Sequence, residues 1–176
     1  KQVLVVDPGC AQTVQKFIDD KRLHLSGILT THHHLDHIGG VDALLKNVDR
    51  DIPVYGPARI ARVNRVACEG QTLNCMGLQL EVLEVPGHTR DHVAYVLRIA
   101  DSTWLFCGDT LFSAGCGRLF EGTALDLFNS FVKLKALPDE TQVFCAHEYT
   151  ESNLRFALHH APDSRDLQTR MEEVQT

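Results

Sequence analysis

Apolar residues recur along the chain in short runs, each closed by a turn signal. Val3-Leu4-Val5-Val6 reads as a strand ended by Asp7-Pro8-Gly9. Val14, Phe17 and Ile18 then fall at helical spacing, predicting an amphipathic helix from Ala11 to about Leu23. Ser26 to Thr30 is a short apolar strand, and Val41 to Leu45 reads as a helix. Ile52 to Tyr55 predicts a strand with an edge-like proline. Pro57 to Val66 is read as a helix with Arg59, Arg62 and Arg65 along one solvated face. Leu78 to Val85 is the next strand, and Val93 to Ile99 pairs through Ala100-Asp101-Ser102 with Thr103 to Cys107 as a hairpin. Ser113 to Arg118 is a Gly-rich loop. Thr123 to Leu137 carries the clearest helix signal, with Thr123 and Asp126 as a capping pair, an apolar stripe of Leu127, Phe128, Phe131 and Leu134, and Pro138 after the end. Gln142 to Cys145 is the last strand, and the chain reads as helical or frayed and increasingly polar from Asn153. Strands joined partly by helices and partly by hairpins predict an α+β architecture of mixed sheets with helices outside.

Composition narrows the partners. The 176 residues are 44% hydrophobic and 23% charged, enough for one domain with a sizeable core. A formal charge of −6 argues against nucleic acid or an anionic membrane as the main partner. No apolar run approaches the length of a membrane span, and no secretory signal is visible. Six cysteines without a CxxC pair read as reduced cytoplasmic thiols rather than a disulfide framework. The chain opens at Lys1, already inside a strand, so residues are expected before it.

The densest chemistry lies in Thr31-His32-His33-His34-Leu35-Asp36-His37, which places four imidazoles and a carboxylate just past a strand end. Neutral imidazole and carboxylate suit zinc, iron or manganese. Residues two apart in an extended segment share a side, so His32 and His34 can serve one ion and His33 points away. Asp36 and His37 follow after the chain turns and can face a second ion. Three further strand ends lead into His88, Asp109 and His147. The tally gives His32, His34 and His88 for one ion and Asp36, His37 and His147 for another, with the two oxygens of Asp109 bridging. Two such cations would lower the pKa of a shared water from about 15.7 toward about 7. The implied reaction is hydrolysis by that hydroxide, with Asp36 and Asp109 as the catalytic carboxylates. Asp7 is a candidate to orient a ligand imidazole, with simple turn formation as the alternative.

These residues resemble the metallo-β-lactamase superfamily pattern H-x-H-x-D-H followed by a distant His, Asp and His. Thr-His-His-His-Leu-Asp-His, Pro-Gly-His-Thr, Gly-Asp-Thr-Leu-Phe-Ser-Ala-Gly-Cys-Gly-Arg and Ala-His-Glu-Tyr-Thr are more narrowly similar to glyoxalase II, the hydroxyacylglutathione hydrolases. The resemblance implies an αβ/βα sandwich and a binuclear site, zinc being expected with iron or manganese as alternatives. It implies cleavage of S-D-lactoylglutathione to glutathione and D-lactate in methylglyoxal detoxification. It places Arg118 and Tyr149 where the family contacts glutathione, and Phe120 where the family commonly has Tyr. Leu35 replaces a common Trp, and Asp91 a common Gly. Residues 1–150 would be the catalytic domain and 151–176 the start of a truncated helical substrate-binding region. The expected partner is a small glutathione thioester, bound by a cytoplasmic monomer. The competing expectation is a mononuclear-iron glutathione-persulfide dioxygenase relative using His32, His88 and Asp109, or a shortened metallo-hydrolase of altered substrate.

Overall fold

The computed structural model describes residues 1–175. In chain order it contains β1 (Gln2–Val6), α1 (Ala11–Asp20), β2 (His24–Leu29), α2 (Leu35–Ile38), α3 (Val41–Lys46), β3 (Val54–Gly56), β4 (Arg65–Val66), β5 (Thr72–Cys75) and β6 (Leu78–Glu84). It continues with β7 (Val93–Ile99), β8 (Ser102–Gly108), β9 (Leu111–Phe112), β10 (Gly115–Cys116), α4 (Ala124–Lys135), β11 (Gln142–Cys145), α5 (Thr150–His160) and α6 (Arg165–Gln175). One sheet has the order β1-β2-β3-β4 and is parallel throughout. The other has the order β11-β8-β7-β6-β5 and is antiparallel except for the β11–β8 pair.

Side-chain alternation makes these sheets a sandwich. On β7, Val93, Tyr95 and Leu97 face inward and pack with Leu29 and Tyr55 of the parallel sheet, while Ala94 and Val96 face outward. Both faces of that strand are buried, which is why it reads as an unbroken apolar run. The outer face of the parallel sheet is covered by Ala11, Ile18, Val41 and Leu44 from α1 and α3. The outer face of the mixed sheet is covered by α4 through Leu134 and Phe131. The layers run helix, sheet, sheet, helix, which matches the mixed sheets with outer helices that the pattern predicts and the sandwich that the resemblance implies.

Three local expectations need correction. The first helix stops at Asp20, not near Leu23, because Arg22 takes a left-handed backbone (φ 51°) and the amide of Leu23 turns back to the carbonyl of Ile18. Residues 57–66 do not form a helix. They make successive turns, Ile60 N–H to Pro57 C=O and Val63 N–H to Ile60 C=O, and then enter β4. The Asn64 side chain accepts from Val54 N–H and donates to the Ile52 carbonyl, satisfying strand backbone that a helix would leave unpaired. Arg59 pairs with Glu121 and Arg62 with Asp42 instead of lining one face. The Gly-rich loop is not irregular throughout: its Gly115–Cys116 (β10) pairs with β9 just before it in a small hairpin turned at Ala114 (φ 54°).

The cap of α4 is as expected. The Thr123 hydroxyl accepts from the Asp126 amide at 3.2 Å, and the Asp126 carboxylate accepts from the Thr123 amide at 2.8 Å. Thr123→Ala should therefore cost about 1 kcal/mol of stability. A urea melt measures this, and an unshifted midpoint would show that the cap carries no weight.

Candidate metal centre

The end of β2 is where the site begins. Asp7, at the end of β1 with φ 47°, aims its carboxylate across the sheet. It accepts from the Thr31 amide and the Thr31 hydroxyl, both at 2.7 Å, and lies 2.9 Å from His37 Nδ1. This turn can sit so close only because Gly9 presses on the Asp36 carbonyl, where a Cβ would collide. Asp7 thus makes more contacts than a simple Asp-Pro-Gly turn requires.

These bonds settle which ring nitrogens carry protons. Asp7 holds a proton on His37 Nδ1, so Nε2 is the nitrogen that a cation would meet in place of a proton. The Thr31 hydroxyl spends its one hydrogen on Asp7, so toward His32 Nδ1, 3.0 Å away, it can only accept. His88 Nδ1 donates to the Arg118 carbonyl at 2.7 Å. His32 and His88 therefore turn Nε2 lone pairs inward, and His37 turns its Nε2 the same way.

Two donor groups result. The Nε2 atoms of His32 and His88 each lie 3.0 Å from His34 Nδ1. The second group is Asp36, His37 and His147, with Asp36 Oδ2 at 3.3 Å from His147 Nε2 and 3.7 Å from His37 Nε2. Asp109 stands between them. Its Oδ1 is 3.2 Å from His37 Nε2 and 3.5 Å from His147 Nε2, and its Oδ2 is 3.5 Å from His88 Nε2. His37 Nε2 and Asp109 Oδ1 are buried and, though close, are not aligned as a hydrogen bond. Buried polar atoms without partners are costly. A ring nitrogen and a carboxylate oxygen converging on one point fit a divalent cation that would displace the proton between them.

Electrostatics agree with this geometry. Burial, reinforced by neighbouring imidazoles, pulls His32 far below its ordinary 6.5. Burial also lowers His88 and His34. His37 goes the other way. Burial would lower it, but the carboxylates of Asp109 and Asp7 raise it to about 10. Burial would raise Asp109, and His37 outweighs that to hold it low.

A cavity of about 700 Å³ opens over the two groups, lined by Leu35, Phe112, Cys116, Arg118, Phe120 and Tyr149 besides the metal-type residues. Arg118 lies over the Phe120 ring, 5.3 Å from its centroid. Tyr149 stacks on His147 with rings 19° apart. His33 is set apart from both groups, 3.7 Å from Asp91 and 3.6 Å from Glu121.

Sequence reasoning missed two residues here. Thr31 orients both Asp7 and His32, and a threonine before a histidine gives no warning of that. His92 is wholly buried behind the site, stacked on His32 at 4.7 Å, with burial lowering it to about 3. The one available hint was a histidine just before a largely buried strand.

The family model described as the metallo-beta-lactamase superfamily matches residues 1–49 and 47–147, and the chain belongs to that superfamily. The hydroxyacylglutathione hydrolase of Edwardsiella ictaluri is 47% identical over 175 residues, covering 98% of this chain and 68% of that protein. Other curated hydroxyacylglutathione hydrolases share 43–54% identity. Within the superfamily the chain belongs to this hydroxyacylglutathione hydrolase, or glyoxalase II, family. It spans about two thirds of the relatives' length, between 60% and 72%. Among solved structures, ETHE1 from Myxococcus xanthus is similar at TM-score 0.73 and 29% identity, covering 99% of this chain and 81% of that one. TTHA1623 in a di-iron-bound form gives 0.68 and 31%, covering 82% and 80%.

The chelator-treated protein should show a definite stability profile. His32, His88 and His92 have folded pKa values below 6.5, so the unfolded chain takes up more protons in acid and stability is lost as pH falls below about 6.5. His37 is raised, so its contribution is full below 6.5 and is lost as pH climbs toward about 10. The melting temperature should peak near pH 6.5 and fall on both sides. A midpoint that stays flat or rises from pH 6.5 to 4 would contradict these shifts.

Proposed function

We propose that the chain hydrolyses a hydroxyacylglutathione thioester, S-D-lactoylglutathione giving glutathione and D-lactate, with two divalent cations in the cavity floor. The observation that carries this reading is the division of Asp109, whose Oδ1 faces His37 and His147 while its Oδ2 faces His88. On this reading His32, His34 and His88 would hold one ion and Asp36, His37 and His147 the other, with Asp109 available to both. Divalent cations in such a site supply positive charge that polarises a carbonyl and acidifies water. Zinc is proposed, and iron or manganese suits the same donors. The di-iron form of TTHA1623 supports a pair of ions over one.

The protein's own groups have separate tasks. Asp7, Thr31 and the Arg118 carbonyl hold three imidazoles in the tautomer that offers lone pairs. Asp36 and Asp109 would offset part of the cations' charge with their carboxylates. Arg118 offers the cavity a cation, which an anionic tripeptide needs on a chain of charge −6. Phe120 gives an apolar wall without the hydroxyl of a tyrosine, and Tyr149 stands at the rim with its ring against His147. The departing thiol has an ordinary pKa near about 8.5, so it leaves as thiolate without a dedicated acid. An oxidising site with one iron on His32, His88 and Asp109 would leave the Asp36, His37 and His147 group without a task.

We place the chain in the cytoplasm as a monomer acting on this small molecule. All six cysteines are unpaired, which supports a reducing compartment. No helix among the described residues is long and apolar enough to cross a membrane. Residues 1–150 hold every proposed ligand, and α5, from Thr150, with α6 would contribute to contacting the glutathione.

Two substitutions separate the roles. Asp109→Ala should lose both ions by elemental analysis and nearly all thioesterase turnover. Arg118→Ala should raise KM by roughly tenfold with little change in kcat, the loss of one charge-assisted contact. A retained second ion in the first, or an unchanged KM in the second, would count against the assignments.

A further inference from the structure

We infer that His92 is a positioning residue that sets Asp109 and His32 at their mutual distance, tying a donor from one sheet to a donor from the other. The inference rests on the proposed ligand roles of those two residues. His92 immediately precedes β7 and is 0% exposed. The backbone amide of Asp109 donates to His92 Nε2 at 3.2 Å. An amide can only donate, so Nε2 carries the lone pair and Nδ1 the hydrogen, which faces the Thr110 hydroxyl at 3.4 Å. The same ring lies flat against His32, with centroids 4.7 Å apart and planes 18° from parallel. One neutral imidazole thus fixes the backbone of Asp109 and the ring plane of His32.

The local backbone shows how closely this contact is built. Gly108, just before Asp109, has φ 48°, and a Cβ there would meet His92 Cε1 and Nε2 at 2.9 Å and collide with the Thr31 hydroxyl. On the other side, a Cβ on Gly117 would collide with the Asp109 carbonyl. The Asp109 carboxylate has no hydrogen bond of its own at Oδ1. Its aim therefore depends on its backbone, and His92 holds the amide end of that backbone.

Three variants of the full chain test this, with Zn²⁺ titrated calorimetrically into chelator-treated protein. His92→Phe keeps a flat ring beside His32 but removes the acceptor. His92→Asn places an amide oxygen too short to reach the Asp109 amide. His92→Gln returns an oxygen to the Nε2 position. The Phe and Asn variants should bind Zn²⁺ roughly 10–100-fold more weakly. The Gln variant should stay within about threefold of the parent, because the acceptor is restored. A purely structural role would lower the melting temperature of all three and would not sort their Zn²⁺ affinities by acceptor reach. If His92→Phe does not fold, the Gln and Asn pair decides. Parent-like affinity in the Asn variant, or equal weakening in Gln and Asn, overturns the inference. Asp109→Asn is the control. If it binds Zn²⁺ like the parent, the ligand assignment fails and not the role of His92.

Discussion

Two sheets that share no strand must meet at one point for this site to exist, and the peptide of Thr30 and Thr31 is that point. The Tyr95 hydroxyl, from the middle of the mixed sheet, donates to the Thr30 carbonyl at 2.8 Å. The amide of Val93 donates to the Thr31 carbonyl at 2.9 Å. From the other side, Asp7 takes the Thr31 amide and hydroxyl. Every one of these groups is buried or nearly so, where a lost hydrogen bond costs most. The seam pins the end of β2 against the start of β7, and the ligands on each side inherit that register. His32 is the next residue along one chain, and His92 and His88 lie just before the other.

A seam of this kind leads directly to the electrostatic character of the cavity floor. Five imidazoles, His32, His34, His37, His88 and His92, lie with ring centroids between 4.0 and 6.1 Å of at least one other. Charging several of them together would be repulsive as well as dehydrating, so burial drives His32, His34, His88 and His92 toward neutrality. Only His37 is held charged, by Asp7 on one ring nitrogen and Asp109 facing the other. A divalent cation replaces that single proton with more positive charge at the same place. Metal binding should thus release protons and stabilise the fold in one event. The density of histidine that first marks the sequence is tolerable in a buried pocket because almost all of it is uncharged.

Much of this was legible because it obeys local rules. The heptapeptide at 31–37, the later His88, Asp109 and His147, and the capping pair of α4 all follow from spacing or strand ends. Mixed sheets with helices outside followed from the alternation of strands, helices and hairpins, and the sandwich from the family resemblance. Three things were illegible for physical reasons. Residues 57–66 have helical spacing of arginines, but tertiary partners in Asp42, Glu121 and the strand backbone outweigh so weak a preference. The β9–β10 hairpin is two residues per strand, too short for any periodicity to register. His92 and Thr31 act through contacts 17 and 24 residues away in sequence, which no local pattern encodes.

The Gly-rich loop shows how one residue can serve substrate and metal by different atoms. The carbonyl of Arg118 orients His88, while its guanidinium enters the cavity above Phe120. Removing the side chain leaves the carbonyl in place, so binding and metal geometry are separable there. The loop itself is held from its far end. Glu121 takes both oxygens to Arg59 at 2.9 Å and accepts from the Arg90 amide at 3.1 Å, with His33 beside it. These ion pairs are partly exposed, and each alone is worth little. Their value lies in position, since they join the turn after β3, the segment after His88 and the loop bearing Arg118 and Phe120. His33, set apart from both donor groups and beside Asp91 and Glu121, therefore stands with the frame that fixes the substrate wall relative to the metal floor.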